Sequence, residues 1–143
     1  MHAFWKWLLL LSAGLANTAL GLSVYQVDAE LYFAERLMTQ ASYVILEGDS
    51  SRYEQRGKGG YRLVLSVQEN LDDSYTISSV IQSDNGKELE TLGTPSIQVV
   101  PQQAGQVMFD HDSVGEVSLK VTLVRHEEVD GDELNECDYV ECE

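Results

Sequence analysis

Apolar and polar positions alternate along most of the chain between Val24 and Val124. Val27, Ala29, Leu31 and Phe33 are interleaved with Gln26, Asp28, Glu30 and Tyr32, and Tyr61, Leu63, Leu65 and Val67 with Arg62, Ser66 and Gln68. Tyr75 and Ile77 alternate with Thr76 and Ser78, and Val117, Leu119, Val121 and Leu123 with Ser118, Lys120 and Thr122. A period of two turns one set of side chains to a core and the other to solvent, the mark of a half-buried strand. Shorter apolar runs at Tyr43–Leu46 and Ile97–Val100 read as strands as well.

Turn residues separate these segments: Glu47-Gly48-Asp49-Ser50, Gly57-Lys58-Gly59-Gly60, Asn70-Leu71-Asp72-Asp73 and Asp84-Asn85-Gly86. Asn85-Gly86 is the strongest hairpin signal, because both residues tolerate the positive φ of a type I′ turn. Residues 31–41 carry two readings. Leu31, Ala34, Met38 and Ala41 fit one face of a helix built from good helix formers, whereas the alternation favours a strand followed by a loop. The pattern as a whole predicts an all-β fold, an antiparallel β-sandwich of roughly seven to nine short strands.

The chain also reads as two related β units. Ala41–Leu46 aligns with Pro95–Val100, Arg52-Tyr53 with Gln106-Val107, and Tyr61–Val67 with Val117–Leu123, about 55 residues apart. A duplicated motif packing face to face gives this order, and the competing reading is that any two hairpins align loosely. On duplication, Val27–Phe33 corresponds to Tyr75–Ile81. Within the second unit, Thr94-Pro95-Ser96-Ile97-Gln98-Val99-Val100, then Ala104-Gly105-Gln106-Val107, then Glu116–Thr122 resembles a strand-turn-strand element of bacterial secretin channel domains. The resemblance spans residues 94–122 and implies a β module in a bacterial envelope. The chain is far too short for a secretin, so channel function does not carry over.

The first 21 residues break the alternation. Lys6 is a positive start, Trp7–Ala16 an apolar core centred on Leu8–Leu11, and Ala19-Leu20-Gly21 a small-x-small cleavage site, with Gly14-Leu15-Ala16 an earlier option. That is the layout of a secretory signal peptide. The apolar stretch is about half the ~20 residues a membrane span needs, so an uncleaved anchor is the weaker alternative. A mature chain of about 120 residues forms one domain, residues 22–126, with no later segment apolar enough to span a bilayer. The expected location is periplasmic or secreted.

Charge narrows the partners. The formal net charge is -15, and residues 127–143 hold nine acids without a lysine or arginine. Nucleic acid and anionic membrane surfaces demand basic patches, so neither is an expected partner. The 127–143 block reads as an acidic tail. Cys137 and Cys142 lie within it, and an even cysteine count in an exported chain points to a disulfide that closes a short loop. Free thiols or pairing with another chain are the alternatives.

Against that background, Arg52, Arg56, Lys58 and Arg62 stand out, four of the nine lysines and arginines. They are the candidate binding residues, facing an acidic partner, a phosphate or the tail, with a plain solvated loop as the bland alternative. Asp110-His111-Asp112 and the tail acids lack the spacing of a dedicated cation site, and a surface turn accounts for the former. No nucleophile elbow, phosphate loop or other catalytic constellation is present, so no catalytic residue, metal ligand or cofactor is assigned. The sequence therefore points to an exported, non-catalytic interaction or accessory module with a protein partner. A small-ligand or cation-binding protein is the alternative. Tyr61–Val67 or Val117–Leu123 are the strands expected to accept a partner strand.

Overall fold

The period-two segments all become strands, because each carries a row of apolar side chains able to line a core. The computed structural model describes residues 22–129, and these form nine strands: β1 (Leu22–Phe33), β2 (Arg36–Leu46), β3 (Ser50–Gln55), β4 (Gly60–Glu69), β5 (Tyr75–Asp84), β6 (Leu89–Gly93), β7 (Ser96–Val99), β8 (Ala104–His111) and β9 (Gly115–Val129). Val24–Glu127 make one compact unit. One sheet has the order β2-β1-β9-β8; the other has β3-β4-β5-β6, with β7 also paired to β5. The two antiparallel sheets pack face to face as the expected sandwich, not a closed barrel. Tyr25, Val27, Leu31, Leu63, Leu65, Ile77, Ile81, Leu119, Val121 and Leu123 fill the space between them.

Residues 31–41 form a strand, a turn and a second strand. Phe33 pairs with Arg36, so Ala34-Glu35 is a two-residue turn, with φ of 50° and 68°. Two positive φ values are the type I′ signature, here adopted without glycine or asparagine. The Ala34 amide donates to the Glu116 carbonyl at 2.7 Å and helps hold the turn. Conversely, Asn85-Gly86 does make a hairpin, but not the tight turn expected of it. Asp84 pairs with Leu89, and the four-residue loop is closed by the Asn85 side chain, which accepts from the Lys87 and Glu88 amides. β9 runs through Glu127 and Glu128 to Val129, into the segment expected to be tail. The signal-peptide residues and Cys137 and Cys142 lie outside the described residues.

The two halves of the sandwich share one strand plan. β1–β2 pair in one sheet and the chain crosses to β3–β4 in the other; β5 pairs with β6 and β7, and the chain crosses back to β8–β9. Tyr25 opposite Ile45 matches Tyr75 opposite Val99, and Ser50 opposite Ser66 matches Ala104 opposite Thr122. Even the bulges coincide. Register slips by one residue after Leu31, leaving Met38 extra, and after Ile81, leaving Leu92 extra. The sequence alignment of β2, β3 and β4 with their counterparts is therefore the structural one. The alignment of β1 with β5 moves by two residues: Tyr25, not Val27, is the counterpart of Tyr75, and these two rings meet edge to face at 5.9 Å.

One consequence corrects the expected docking strands. β4 (which contains Tyr61–Val67) lies between β3 and β5, and β9 (which contains Val117–Leu123) between β1 and β8. Both have their backbone groups committed on both sides, because a long alternating strand with a fully apolar face is best buried in mid-sheet. The edges are β2 and β8 in one sheet, and β3 and the β6–β7 pair in the other.

Candidate functional site

The four edges meet in pairs along two seams, β2 beside β3 and β7 beside β8. At the second seam the backbones approach closely. A Cβ added to Gly105 of β8 would lie 2.6 Å from Ile97 Cγ2 and 2.8 Å from Val99 Cγ1 of β7, and one added to Gly93 would lie 2.8 Å from the Phe109 ring. Glycine at these two positions lets the sheets shut over Ile97, Val99 and Phe109. Pro95 lies between β6 and β7, where it offers β5 no amide hydrogen while its carbonyl accepts from the Ser79 amide at 3.0 Å.

The β2–β3 seam has different residues at the equivalent places. Ser51 stands where the other seam has Gly105, Thr39 where it has Gly93, and Gln55 where it has Phe109. Instead of a ring over a glycine there is a cleft of about 240 Å³, lined by Arg36, Leu37 and Met38 on one side and Gln55, Arg56, Lys58, Gly59 and Gly60 on the other. Tyrosines replace aliphatic residues further along: Tyr43 for Ile97, Tyr53 for Val107, Tyr61 for Val117. Tyr43 and Tyr53 meet edge to face at 5.3 Å, with Tyr53 half exposed. The Tyr43 hydroxyl is buried without a hydrogen-bond partner, and burial pushes its pKa well above the ordinary tyrosine value.

β2 has no ladder partner on its outer side among the described residues, where β3 faces it across the seam. Ser51 Oγ reaches across the seam and donates to the Val44 carbonyl at 2.9 Å, so Val44 directs its backbone away from β1. In an antiparallel pair alternate residues do this, so Gln40 and Ser42 present their amides and carbonyls outward too. Val44 is 66% exposed, with Leu46 exposed two residues on and Leu37 exposed at the other end of β2.

The predicted basic residues divide into two groups. Arg52, Arg56 and Arg62 surround Glu54, at 3.6, 3.9 and 3.1 Å. Arg56 also donates to Asp84 at 2.9 Å. Three guanidinium groups thus share two carboxylates, and much of the charge that stands out in the sequence is internally balanced. Lys58 belongs elsewhere. It lines the cleft with Arg36, and neither side chain has an ion-pair partner within 4.0 Å among the described residues. Sequence reasoning missed Arg36 because the contact is made through space, between the β1–β2 turn and the β3–β4 loop.

Asp84 holds this region in place. Its buried carboxylate accepts from Arg56 Nε, the Gly57 amide at 2.8 Å and the Gly86 amide at 2.8 Å, while its carbonyl accepts from the Gly59 amide at 3.0 Å. One residue of β5 thereby fastens both the β3–β4 and β5–β6 loops. The Arg56 hydrogen bond, followed by the two amides, lowers the carboxyl pKa to about 2. Such charge-assisted bonds stabilise the ionised form. Four of the five hairpin turns among the described residues, all but the β4–β5 turn, gather at this end, around a wider cleft of about 760 Å³ that again includes Arg36, Lys58 and Gly59, together with Asp84 and Glu90.

The remaining sequence candidates are structural. His111 Nδ1 accepts from the Ser113 amide and closes the β8–β9 turn. His126, on β9, is half-buried; it stacks on Tyr25 at 4.8 Å and bonds the Tyr75 hydroxyl at 3.0 Å. No group of three or more His, Cys, Asp or Glu side chains is arranged to hold a metal among the described residues, and no helix there is long and apolar enough to cross a membrane. The fold and site define an all-β sandwich with one shut seam and one open, cation-bearing seam. No protein-family profile matches the chain, and neither a curated protein nor a solved structure does.

Proposed function

We propose that this chain is an exported, non-catalytic interaction module that takes up an extended segment of a partner protein along the outer edge of β2. The observation that carries the reading is the outward backbone of Gln40 and Ser42, on the part of that edge between the Met38 bulge and the Val44 carbonyl that Ser51 takes up. Natural sheets shield exposed edges with prolines, charges, bulges or covering segments. The equivalent edge of the other sheet is broken at Pro95, and β7 is shut against β8. β2 is instead a continuous strand of 11 residues whose Gln40 and Ser42 backbone turns outward, with Val44 exposed on the same strand. Strand addition uses such a surface: backbone bonds supply affinity and flanking side chains choose the partner. Periplasmic or secreted placement follows from the signal-like first 21 residues.

A photo-crosslinking residue at Gln40 tests the reading in intact cells. The expected result is one discrete adduct that disappears when Ser42→Pro removes an outward amide from a protein that still folds. The same residue at Gln106, on the β8 edge, gives none. Equal adducts from both edges, or an adduct indifferent to Ser42→Pro, overturn it.

A further inference from the structure

Resting on that reading, we infer that Arg36 and Lys58 form a carboxylate receptor at the end of the β2 edge, and that the segment bound there is acidic. Four observations converge. Both cations line the same small cleft. Neither has a carboxylate within 4.0 Å among the described residues, although acids outnumber lysines and arginines 24 to 9 in the chain and Asp84 and Glu90 share the wider cleft, where Arg56 and Ser113 bond them. Each is carried on a pinned turn: Arg36 follows the turn bonded to Glu116, and Lys58 sits in the loop fastened by Asp84, its Cβ close against Gly86. Finally, Gln55, which lines the cleft, stands where Phe109 packs on Gly93 in the other half, so the smaller polar side chain accompanies the opening at this end of the β2–β3 seam.

These features select a ligand chemistry. Two cations carried on opposite walls recognise a carboxylate by charge-assisted bonds, Arg36 with its planar fork and Lys58 as a point charge. Leu37 and Met38 on the same wall accept an apolar neighbour of that carboxylate. Arg56 is held by Asp84 and Glu54 and completes the wall without being free to turn. A second copy of this chain fits less well, since two molecules of net charge -15 repel each other. At physiological ionic strength screening over about 8 Å leaves the nearby cations dominant for a short foreign segment. The occupant is thus an extended acidic peptide segment whose aspartate or glutamate side chain enters the cleft while its backbone follows β2.

Fluorescence anisotropy on the full chain tests this with two terminally blocked peptides of alternating threonine and valine. One carries two glutamates near one end, the other glutamines at the same places. The expected result is that the glutamate peptide binds about ten-fold more tightly, a difference of ~1.4 kcal/mol. The preference should weaken with added salt and disappear in Arg36→Gln/Lys58→Gln. Equal binding of the two peptides, lost in Ser42→Pro, overturns the receptor and leaves strand addition standing. Binding of the glutamate peptide that needs Arg36 and Lys58 but survives Ser42→Pro supports the receptor and overturns strand addition. Binding of neither peptide overturns both.

Discussion

The β2–β3 seam and the β7–β8 seam occupy equivalent positions in two halves built on one plan, yet their chemistry is opposite. At the latter, Gly93 and Gly105 let Phe109, Ile97 and Val99 shut the sandwich. At the former, Thr39, Ser51 and Gln55 stand in those places, three tyrosines replace aliphatic residues, and a cleft carries Arg36 and Lys58. The core between the seams is nearly unchanged: Leu63 matches Leu119 and Ile77 matches Val27, all fully buried. A repeated frame makes the departure visible. Where packing alone decides, the halves agree, and where they disagree a polar, open surface has replaced a tight apolar one.

The largest effect should come from the part of the comparison that is equal. Leu63→Ala and Leu119→Ala each remove a fully buried side chain from a mid-sheet strand. Each should cost about 2–5 kcal/mol, with the two values close to one another in urea unfolding. A large inequality would show that the halves share a strand plan but not a packing environment.

The second effect concerns the tie between the halves. Asp84 of the second half holds the β3–β4 loop of the first, and its counterpart in β1–β2 is the turn residue Ala34. Its folded pKa of about 2 lies below the ordinary 3.8. A depressed folded pKa contributes stability that is fully present above about pH 4 and lost as pH falls from about 4 towards 2. Asp84→Ala should lower Tm by on the order of 10 °C at neutral pH and flatten the acid limb of a Tm–pH curve. An unaltered acid limb would mean that other carboxylates set the acid sensitivity.

The sequence made the frame legible because burial demands a regular pattern. β4, β5 and β9 show clean alternation, and the match between Ala41–Leu46 and Pro95–Val100 holds residue for residue. The Ala34-Glu35 turn was illegible, since neither residue is a turn former. Its positive φ values are imposed by the pairing of β1 with β2 and the bond to Glu116. Asn85-Gly86 misled in the other direction, its side-chain bonds favouring a four-residue loop. The basic cluster showed in composition, but only three-dimensional proximity separates Lys58, which joins Arg36, from Arg52 and Arg62, which Glu54 takes up. Strand order was hidden as well. The most regular strands looked like docking strands, and regularity is what places them in the middle of a sheet.

Swapping seam residues should give smaller and unequal effects. Gly105→Ser places atoms against Ile97 and Val99 at separations that force movement, and overpacking of this kind costs about 1–3 kcal/mol. Ser51→Gly in the open seam removes the bond to the Val44 carbonyl and a side chain that excludes nothing, for about 1 kcal/mol. Chemical denaturation of the two variants compares the seams directly, and equal costs would contradict the contrast between shut and open.

The smallest effect is the most telling about what the open seam is for. Tyr43 puts a hydroxyl where Ile97 has only carbon, and that hydroxyl has no partner although the residue is 2% exposed. An unsatisfied buried polar group is a cost, so Tyr43→Phe should leave stability unchanged or raise it by up to about 1 kcal/mol. If the hydroxyl serves only the folded core, nothing else should change. If it serves the peptide bound along β2, the same variant should bind the glutamate peptide several-fold more weakly while being no less stable. Stability and affinity moving in opposite directions would mark Tyr43 as a residue kept for binding at the expense of packing. Loss of stability without change in affinity would return the β2–β3 seam to the same class as its counterpart, at least at this position.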